Sequence, residues 1–309
     1  MEKIVTLTLN PAIDKSTTVQ AIAPDKKLRC STPKFEPGGG GVNVSRAIKK
    51  LGGNSTAIYL AGGYSGKFYE DLLNQEGINS CIITTKGHTR ENLIVVDESA
   101  NLQYRFGMPG PQINEDEWQN VIKIFEETAG VEYIVASGSL PDGVPMDFFA
   151  RLAACAKKMN AKLILDTSGE PLRNAMDDGV FMIKPNLGEL SFLHGTEELH
   201  EADAINAAKD IINKGGCEAM VISKGASGAW LVTKNDVLSS PAPTVKKRST
   251  VGAGDSMVAG MVLALSHAWP WIDVLQYGIA TGTATTMNPG TELCKKEDVE
   301  KLYKCLKGK

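Results

Sequence analysis

The chain has 309 residues, of which 42% are hydrophobic and 22% charged, as expected of a soluble globular protein with a large buried core. Its formal net charge of -3 gives no support to a nucleic-acid partner. The longest apolar run, at residues 257 to 265, is too short to span a bilayer, so no membrane partner is expected.

The 6 cysteines and 4 histidines are scattered and show no spacing typical of a metal site or a disulfide framework. We therefore expect reduced thiols, a cytoplasmic location and no transition metal.

The first predicted element is a buried strand at residues 4 to 9, an apolar run that ends at Asn10-Pro11. Asp14 lies just beyond it, where ligand sites gather in open α/β sheets. Residues 15 to 35 are polar and strand-like, and we expect them to project from the main body as a small sheet.

Four consecutive glycines at residues 38 to 41 form the first glycine-rich stretch. Such a run is entropically costly unless the backbone must approach something closely. Residues 43 to 51 follow with apolar residues at helical spacing. Because a flexible linker would not run directly into an amphipathic helix, we interpret the stretch as a ligand-facing turn. It matches neither the dinucleotide fingerprint nor a Walker A motif.

The next segment contains a predicted strand, a predicted helix and three β-like runs, at residues 55 to 62, 66 to 76, 78 to 84, 91 to 97 and 101 to 106. Arg90 and Arg105 lie here among hydrophobic neighbours. Each could be an ordinary surface residue, but a guanidinium group is also well shaped to bind a phosphate ester.

From residue 114 onward strands and helices alternate, with Asn114 as the expected cap of the first helix. The predicted strands lie at residues 133 to 136, 163 to 166, 181 to 183 and 219 to 223. The later predicted helices lie at residues 146 to 158, 202 to 214, 255 to 267, 271 to 287 and 295 to 306. This alternation predicts a parallel sheet with helices on both faces.

Residues 250 to 256 join a bare glycine loop to an apolar helix. Unpaired amides and the positive end of a helix dipole make such a loop an anion site, suited to a phosphoryl group. A carboxylate there, Asp255, suggests a catalytic base. The alternative is that Asp255 only caps the helix, and this stretch alone leaves both interpretations open.

Three motifs in this order resemble the ribokinase-like (PfkB-type) family of sugar kinases: residues 38 to 44, Asn186-x-x-Glu189 and the Gly-Ala-Gly-Asp run at residues 252 to 255. The likeness extends from Leu7 to beyond Gly290. The resemblance implies a ribokinase-like, doubly wound, mostly parallel sheet with helices on both faces. It also implies a small β-sheet lid at about residues 12–36 and 88–108, and a homodimer that forms through this lid.

Within the family, residues 28 to 30, 35 to 37, 89 to 92 and 104 to 110 resemble the 6-phosphofructokinase branch. Gly40 stands where many relatives have a lysine. The resemblance thus implies ATP-dependent phosphorylation of the 1-hydroxyl of fructose 6-phosphate. The alternatives are a tagatose-6-phosphate kinase, a 1-phosphofructokinase, or a non-catalytic sugar or nucleotide sensor.

The resemblance also implies roles for individual residues, with Asp255 as general base beside the amides of Gly252, Ala253 and Gly254. The residues implied to bind the phosphosugar are Asp14, Gly39, Gly40, Gly41, Asn43, Arg90, Arg105 and Ser139. Those implied to bind ATP are Lys27, Lys184, Asn186, Ser223, Gly225 and Gly228, with Lys27 reaching the nucleotide within the chain or across the dimer. Glu189 is implied to order Mg²⁺ through water, and K⁺ is implied at Ser249, Val251, Asn288 and Gly290.

Overall fold

The computed structural model describes residues 3–308 and contains a large and a small β-sheet. In spatial order the large sheet comprises β13 (Val237–Ser240), β12 (Ala229–Thr233), β11 (Cys217–Ser223), β10 (Val180–Ile183), β9 (Lys162–Asp166), β8 (Tyr133–Ser137), β1 (Ile4–Thr8), β4 (Thr56–Gly62) and β5 (Ser80–Thr85). All neighbours from β11 to β5 pair in parallel, while β12 is antiparallel to both of its neighbours. The predicted mostly parallel sheet is confirmed.

The small sheet has the order β3 (Lys34–Gly38), β2 (Ala12–Val19), β6 (Arg90–Asp97) and β7 (Leu102–Phe106). It confirms the predicted second sheet. Between β2 and β3, however, residues 20 to 33 contain only a single bridge, from Val19 to Cys30. The expectation of strand-like structure throughout residues 15 to 35 was wrong there. Nearly all of these residues are exposed, so no buried apolar face holds them in a sheet.

Ten α-helices cover the large sheet within the described part of the chain. They are α1 (Gly40–Leu51), α2 (Gly63–Gln75), α3 (Glu115–Glu126), α4 (Phe148–Lys158), α5 (Gly169–Met176), α6 (Leu187–His194), α7 (Ala204–Asn213), α8 (Ala253–Ser266), α9 (Trp271–Thr286) and α10 (Lys296–Lys307).

The helices are divided between the two faces of the sheet. Alternate residues of β4 show this, because Ile58 and Leu60 pack in the core beneath α3 to α7. Ala57, Tyr59 and Ala61 face the opposite side, where α2 packs. The strand alternation therefore places apolar side chains in both cores, as a doubly wound sheet requires.

Asn114 caps α3 as predicted, since its side chain accepts a hydrogen bond from the Glu117 amide and the Glu117 carboxylate accepts one from the Asn114 amide. None of the helices between residues 3 and 308 combines the length and the hydrophobicity needed to cross a membrane.

Candidate active site

The carboxyl ends of the parallel strands meet at one edge of the large sheet, where the strand order reverses between β1 and β8. In open α/β sheets a ligand crevice forms at such a switch point. Asn10 follows β1 and Ser139 follows β8, and the Asn10 Nδ2 atom donates to Ser139 Oγ at 3.1 Å. We call the space between these two loops the cleft. The predicted sugar-binding residue Ser139 lies in it.

The four-glycine turn brings the amino end of α1 to the same cleft. The helix begins at Gly40 with Gly39 as its N-cap, so the predicted start at Asn43 was wrong. A Cβ atom at Gly40 would overlap the Ser137 hydroxyl and the backbone that follows it. Close approach to β8 therefore outweighs the low helix propensity of glycine at Gly40 and Gly41.

Asp255 lies in the first turn of α8 and points into the cleft. Its Oδ2 accepts a hydrogen bond from Asn43 Nδ2 at 3.0 Å, and its Oδ1 accepts one from Ser137 Oγ at 3.3 Å. The N-cap of α8 is Gly252, whose φ of 71° lies in the left-handed region, and no side chain caps this helix. The interpretation of Asp255 as only a helix cap is therefore not supported.

The surroundings of Asp255 make it a better proton acceptor than an exposed aspartate. Burial, followed by the negative charge of Asp166, raises its pKa from 3.8 to about 6. The hydrogen bond from Asn43, the charge of Lys184 and the hydrogen bond from Ser137 act in the opposite direction. A carboxylate with a pKa near 6 is still ionised at neutral pH and binds a proton more readily than an ordinary aspartate.

Lys184 lies at the end of β10 and forms an ion pair with Asp166, with 3.1 Å between Lys184 Nζ and Asp166 Oδ1. Burial lowers the pKa of Lys184, but Asp166, Asp255 and Glu189 together raise it above its usual value. The Lys184 ammonium therefore stays charged near Asp255. Sequence reasoning missed Asp166, although an acid that ends an apolar strand was a usable signal.

A cavity of about 480 Å³ opens beside this ion pair. Lys184 and five predicted site residues line it, namely Ser223, Gly225, Gly228, Ala253 and Gly254. Apolar side chains form much of the remaining wall, including Val245, Met257 and Ile279. A mostly apolar pocket with a cation and bare backbone at one end suits a nucleotide, with its base among the apolar groups and its phosphates towards Lys184.

Asn186 and Glu189 form the capping box of α6. The Asn186 side chain accepts from the Glu189 amide at 2.9 Å, and Glu189 Oε2 accepts from the Asn186 amide at 2.9 Å. The motif therefore has a structural role as a helix start in addition to any role in catalysis. The arrangement holds the Glu189 carboxylate close enough to Lys184 to influence its pKa.

The small sheet contributes the other wall of the cleft. Arg90 opens β6, and its two terminal nitrogens donate to the backbone carbonyls of Met108 and Asn10 at 3.2 and 2.9 Å. Its Nε is buried without a partner. On the neighbouring strand Asp14 accepts from Asn92 Nδ2 at 2.9 Å. Burial is the main cause of a raised pKa at Asp14, so both ionisable groups are partly desolvated and suited to a polar ligand.

Comparison with known proteins identifies the family. Residues 4–298 match the model of the pfkB family carbohydrate kinases. The ATP-dependent 6-phosphofructokinase isozyme 2 of Escherichia coli is 42% identical over 304 residues, 98% of each chain. A crystal structure of Escherichia coli phosphofructokinase-2 with potassium superposes with a TM-score of 0.95, at 42% identity, over 99% of this chain and 100% of that one. A 1-phosphofructokinase of Bacillus subtilis is 31% identical over 97% of each chain.

The chain belongs to the pfkB family of carbohydrate kinases. The ribokinase-like fold that the sequence predicted is thereby confirmed, and so is the expectation of an ATP-dependent kinase.

Two predicted residues of this pfkB family kinase lie apart from the others. Lys27 is exposed in the irregular segment between β2 and β3 and does not line the cavity beside Lys184. Arg105 is exposed on β7 opposite Ile94, where it donates to Gln103 Oε1 at 2.9 and 3.1 Å. Because Ile94 lies four residues along β6 from Arg90, Arg105 is roughly 13 Å from the start of that strand. One chain alone does not bring these two residues to the cleft.

The predicted cation site lies behind the glycine loop of the kinase. Ser249 Oγ donates to the Gly290 carbonyl at 2.6 Å and also accepts from the Val251 amide at 3.2 Å. Asn288 directs its Nδ2 to the carbonyls of Ala284 and Leu293. Hydrogen bonds through the Ser249 hydroxyl thus bring Ser249, Val251 and Gly290 together, whereas the Asn288 N–H₂ group supports the neighbouring backbone.

Proposed function

We propose that this chain transfers the γ-phosphoryl group of ATP to the 1-hydroxyl of fructose 6-phosphate. The observation that carries the proposal is the position of Asp255, between a nucleotide cavity lined by Gly254 and a cleft whose far wall holds Arg90. The name of the Escherichia coli relative supports the choice of substrate.

In this proposal Asp255 accepts the proton of the sugar hydroxyl as its oxygen attacks the γ-phosphorus in line with the departing ADP oxygen. Asn43 and Ser137 hold the carboxylate while it does so. The amino end of α8 stabilises negative charge on the moving group through unpaired amides and the helix dipole. The Ala253 amide contributes less, because it also donates to the Thr250 carbonyl at 3.3 Å.

We also propose that Mg²⁺ accompanies ATP and neutralises charge on the nucleotide phosphates when bound. Within residues 3–308 no three or more His, Cys, Asp or Glu side chains form a group that could hold a metal ion. Mg²⁺ usually binds one or two carboxylates together with phosphates and water. Glu189 has one carboxylate oxygen outside its capping bond and would bind the ion through water, with Asp166 nearby.

We propose K⁺ as a second ion, held by oxygen atoms of Ser249, Val251, Asn288 and Gly290. The contact between Ser249 Oγ and the Gly290 carbonyl supports a site that gathers oxygen donors. The potassium complex of the Escherichia coli relative gives further support. The proposal predicts faster turnover in KCl than in NaCl of equal ionic strength, and equal rates would refute it.

The sugar is tested by a coupled assay with ATP and three substrates: fructose 6-phosphate, tagatose 6-phosphate and fructose 1-phosphate. We expect kcat/KM to be at least about tenfold higher for fructose 6-phosphate. A preference for fructose 1-phosphate would favour the activity named for the Bacillus subtilis relative. No turnover with any of the three, together with a melting temperature raised by ATP, would favour a nucleotide sensor.

We further propose a homodimer formed through the small sheet. Leu102, Tyr104 and Phe106 on β7 are 54, 38 and 47% exposed, an apolar row that monomeric proteins rarely leave in water. Such a dimer offers a way for Lys27 and Arg105 to reach the partner's cleft. Phe106→Asp should halve the mass measured by light scattering, while Met146→Asp, at an exposed apolar residue outside the small sheet, should not. A wild-type chain of monomer mass would refute the proposal.

A further inference from the structure

Arg46 on α1 is a buried arginine that lies one step behind the candidate base. Its side chain is only 3% exposed. Nε and Nη2 donate to the two carboxylate oxygens of Glu76 at 2.8 and 2.6 Å, and Nη1 donates to the Pro37 carbonyl at 2.8 Å. The remaining contact of Nη1 is with Asn43 Oδ1, at 3.2 Å. Arg46 therefore contacts the residue that contacts Asp255.

The contact with Arg46 determines which way round the Asn43 amide is held. A carboxamide has a donor end and an acceptor end, and either could face a neighbour. An arginine has only donors, so it accepts no hydrogen bond and must face the Asn43 oxygen. The N–H₂ end of Asn43 is then left to face Asp255, where it donates to Oδ2 at 3.0 Å. The reverse orientation would place oxygen against oxygen at Asp255 and N–H₂ against a cation at Arg46.

Resting on the proposed function, we propose that Arg46 is a positioning residue for phosphoryl transfer, which holds the Asn43 amide with its donor end against Asp255. Arg46 itself is held from two elements. Glu76 follows α2, and Glu36 on β3 lies 3.7 Å from Nη2. Glu36 in turn accepts a hydrogen bond from Thr291 at 2.5 Å. The guanidinium is thus fixed between α2, the small sheet and the loop that follows α9.

The consequence for Asp255 follows from the groups that face it. Asp166 at the end of β9 raises its pKa, while Lys184 after β10, Asn43 on α1 and Ser137 on β8 lower it. Without the donor from Asn43, one of the contributions that favour the ionised carboxylate is lost. The pKa of Asp255 should then rise.

The test uses Arg46→Lys, which keeps the positive charge but cannot reach Glu76, Pro37 and Asn43 at once. The carboxyl carbon of Asp255 is titrated by ¹³C NMR in the ligand-free full chain, and its resonance is assigned by its loss in Asp255→Asn. Because a hydrogen bond to a charged group is worth about one pH unit of titration, we expect the midpoint to move up by roughly that amount. An unchanged or lower midpoint overturns the proposal.

Glu76→Gln is the second variant, in case Arg46→Lys does not fold. Removing a nearby negative charge should by itself lower the pKa of a carboxyl group. If Glu76→Gln instead loosens Arg46 and so releases Asn43, the pKa of Asp255 should rise. The direction of the pKa change therefore separates the loss of a negative charge from the loss of the positioning contact. Tyr69→Phe is the matched control, since it removes a buried hydrogen bond to the Gly38 carbonyl without touching Arg46 or Asn43 in the hydrogen-bond network. It should leave the midpoint unchanged.

Turnover provides an independent measurement. The ratio of variant to wild-type kcat/KM should be about tenfold lower at about pH 5 than at about pH 8, because more of the variant's Asp255 is protonated at the lower pH. Protonation of the free sugar phosphate affects both proteins equally and therefore cancels in this ratio. The KM for ATP should not change, since Arg46 does not line the nucleotide cavity. A ratio independent of pH would mean that Arg46 is only structural. The NMR titration does not depend on which sugar the chain phosphorylates. A wrong assignment of the kinase reaction can therefore be distinguished from a wrong assignment of Arg46 as a positioning residue.

Discussion

We expect Asp255→Asn to yield a protein that is almost inactive and yet more stable at neutral pH. Asparagine has nearly the same shape as aspartate, so its oxygen can still accept from Asn43 and its N–H₂ can donate to Ser137 Oγ. Sugar binding should therefore be retained. Loss of the general base should reduce kcat by about 10²–10⁴.

The stability gain follows from the titration of Asp255. Its pKa is 3.8 in an ordinary environment and about 6 here, so the folded chain holds this proton more tightly than the unfolded chain. Ionisation of the buried carboxyl therefore lowers the free energy of unfolding as the pH rises between these two values, by at most about 3 kcal/mol above pH 6. Asp255 keeps partial contact with water in the cleft, so we expect the substitution to recover about 1–2 kcal/mol at pH 7.

Urea unfolding at about pH 7 and about pH 4 measures this difference. It should shrink at the lower pH, because the folded-state carboxyl is then protonated and the pH lies close to the unfolded-state pKa of 3.8. Asp116→Asn is a matched control, an exposed aspartate in the first turn of α3. It should cost about 0.5 kcal/mol and leave kcat unchanged. If Asp255→Asn instead lost about 1 kcal/mol of stability and kept its turnover, Asp255 would be a helix cap and not a general base.

Three further predictions concern the groups around the base. For the wild-type chain, kcat/KM should fall about tenfold per pH unit below about 6, because Asp255 must be ionised; a limb centred near pH 4 would contradict the role of burial. Arg90→Ala should raise the KM for the phosphosugar by about 10- to 100-fold while the KM for ATP stays within about twofold, and equal effects on both would argue against a phosphate contact. Lys184→Met should cost about 3 kcal/mol of stability, because it leaves Asp166 without its cation. It should also move the acidic limb of the kcat/KM profile to higher pH, because the charge of Lys184 lowers the pKa of Asp255, and an unmoved limb would refute this coupling.

Apolar periodicity was enough to predict most of the large sheet. Runs such as residues 133 to 136 and 163 to 166 are buried strands that end in polar residues, and the structure contains them with nearly the predicted bounds. The helices α5 and α6 were missed, because eight residues span barely two turns and α6 shows little amphipathic pattern. No pattern delimited β13, a four-residue edge strand with exposed side chains.

The candidate site was predictable where a motif concentrates glycine with a charged residue. Asp255 and Asn43 both lie in such motifs, and the structure joins them by a hydrogen bond across 212 positions of sequence. Ser137 and Asp166 were not predicted, since each is a single polar residue at a strand end. Their role arises only when the parallel strands place those ends side by side. Arg46 is still harder to find, because nothing in the local sequence marks an arginine of a predicted helix as buried.

The proposed reaction gives a reason for the cation that lies so close to Asp255. In that reaction ATP would bring its phosphates towards Gly254 and Lys184, which would place new negative charge beside the carboxylate. Uncompensated, that charge would raise the pKa of Asp255 further and protonate it before it could act. Lys184 is only 9% exposed and its pKa is raised by Asp166, so its positive charge persists where the phosphates arrive. In the proposed reaction the Asp166–Lys184 pair would thus allow an anionic nucleotide to bind while Asp255 stays ionised.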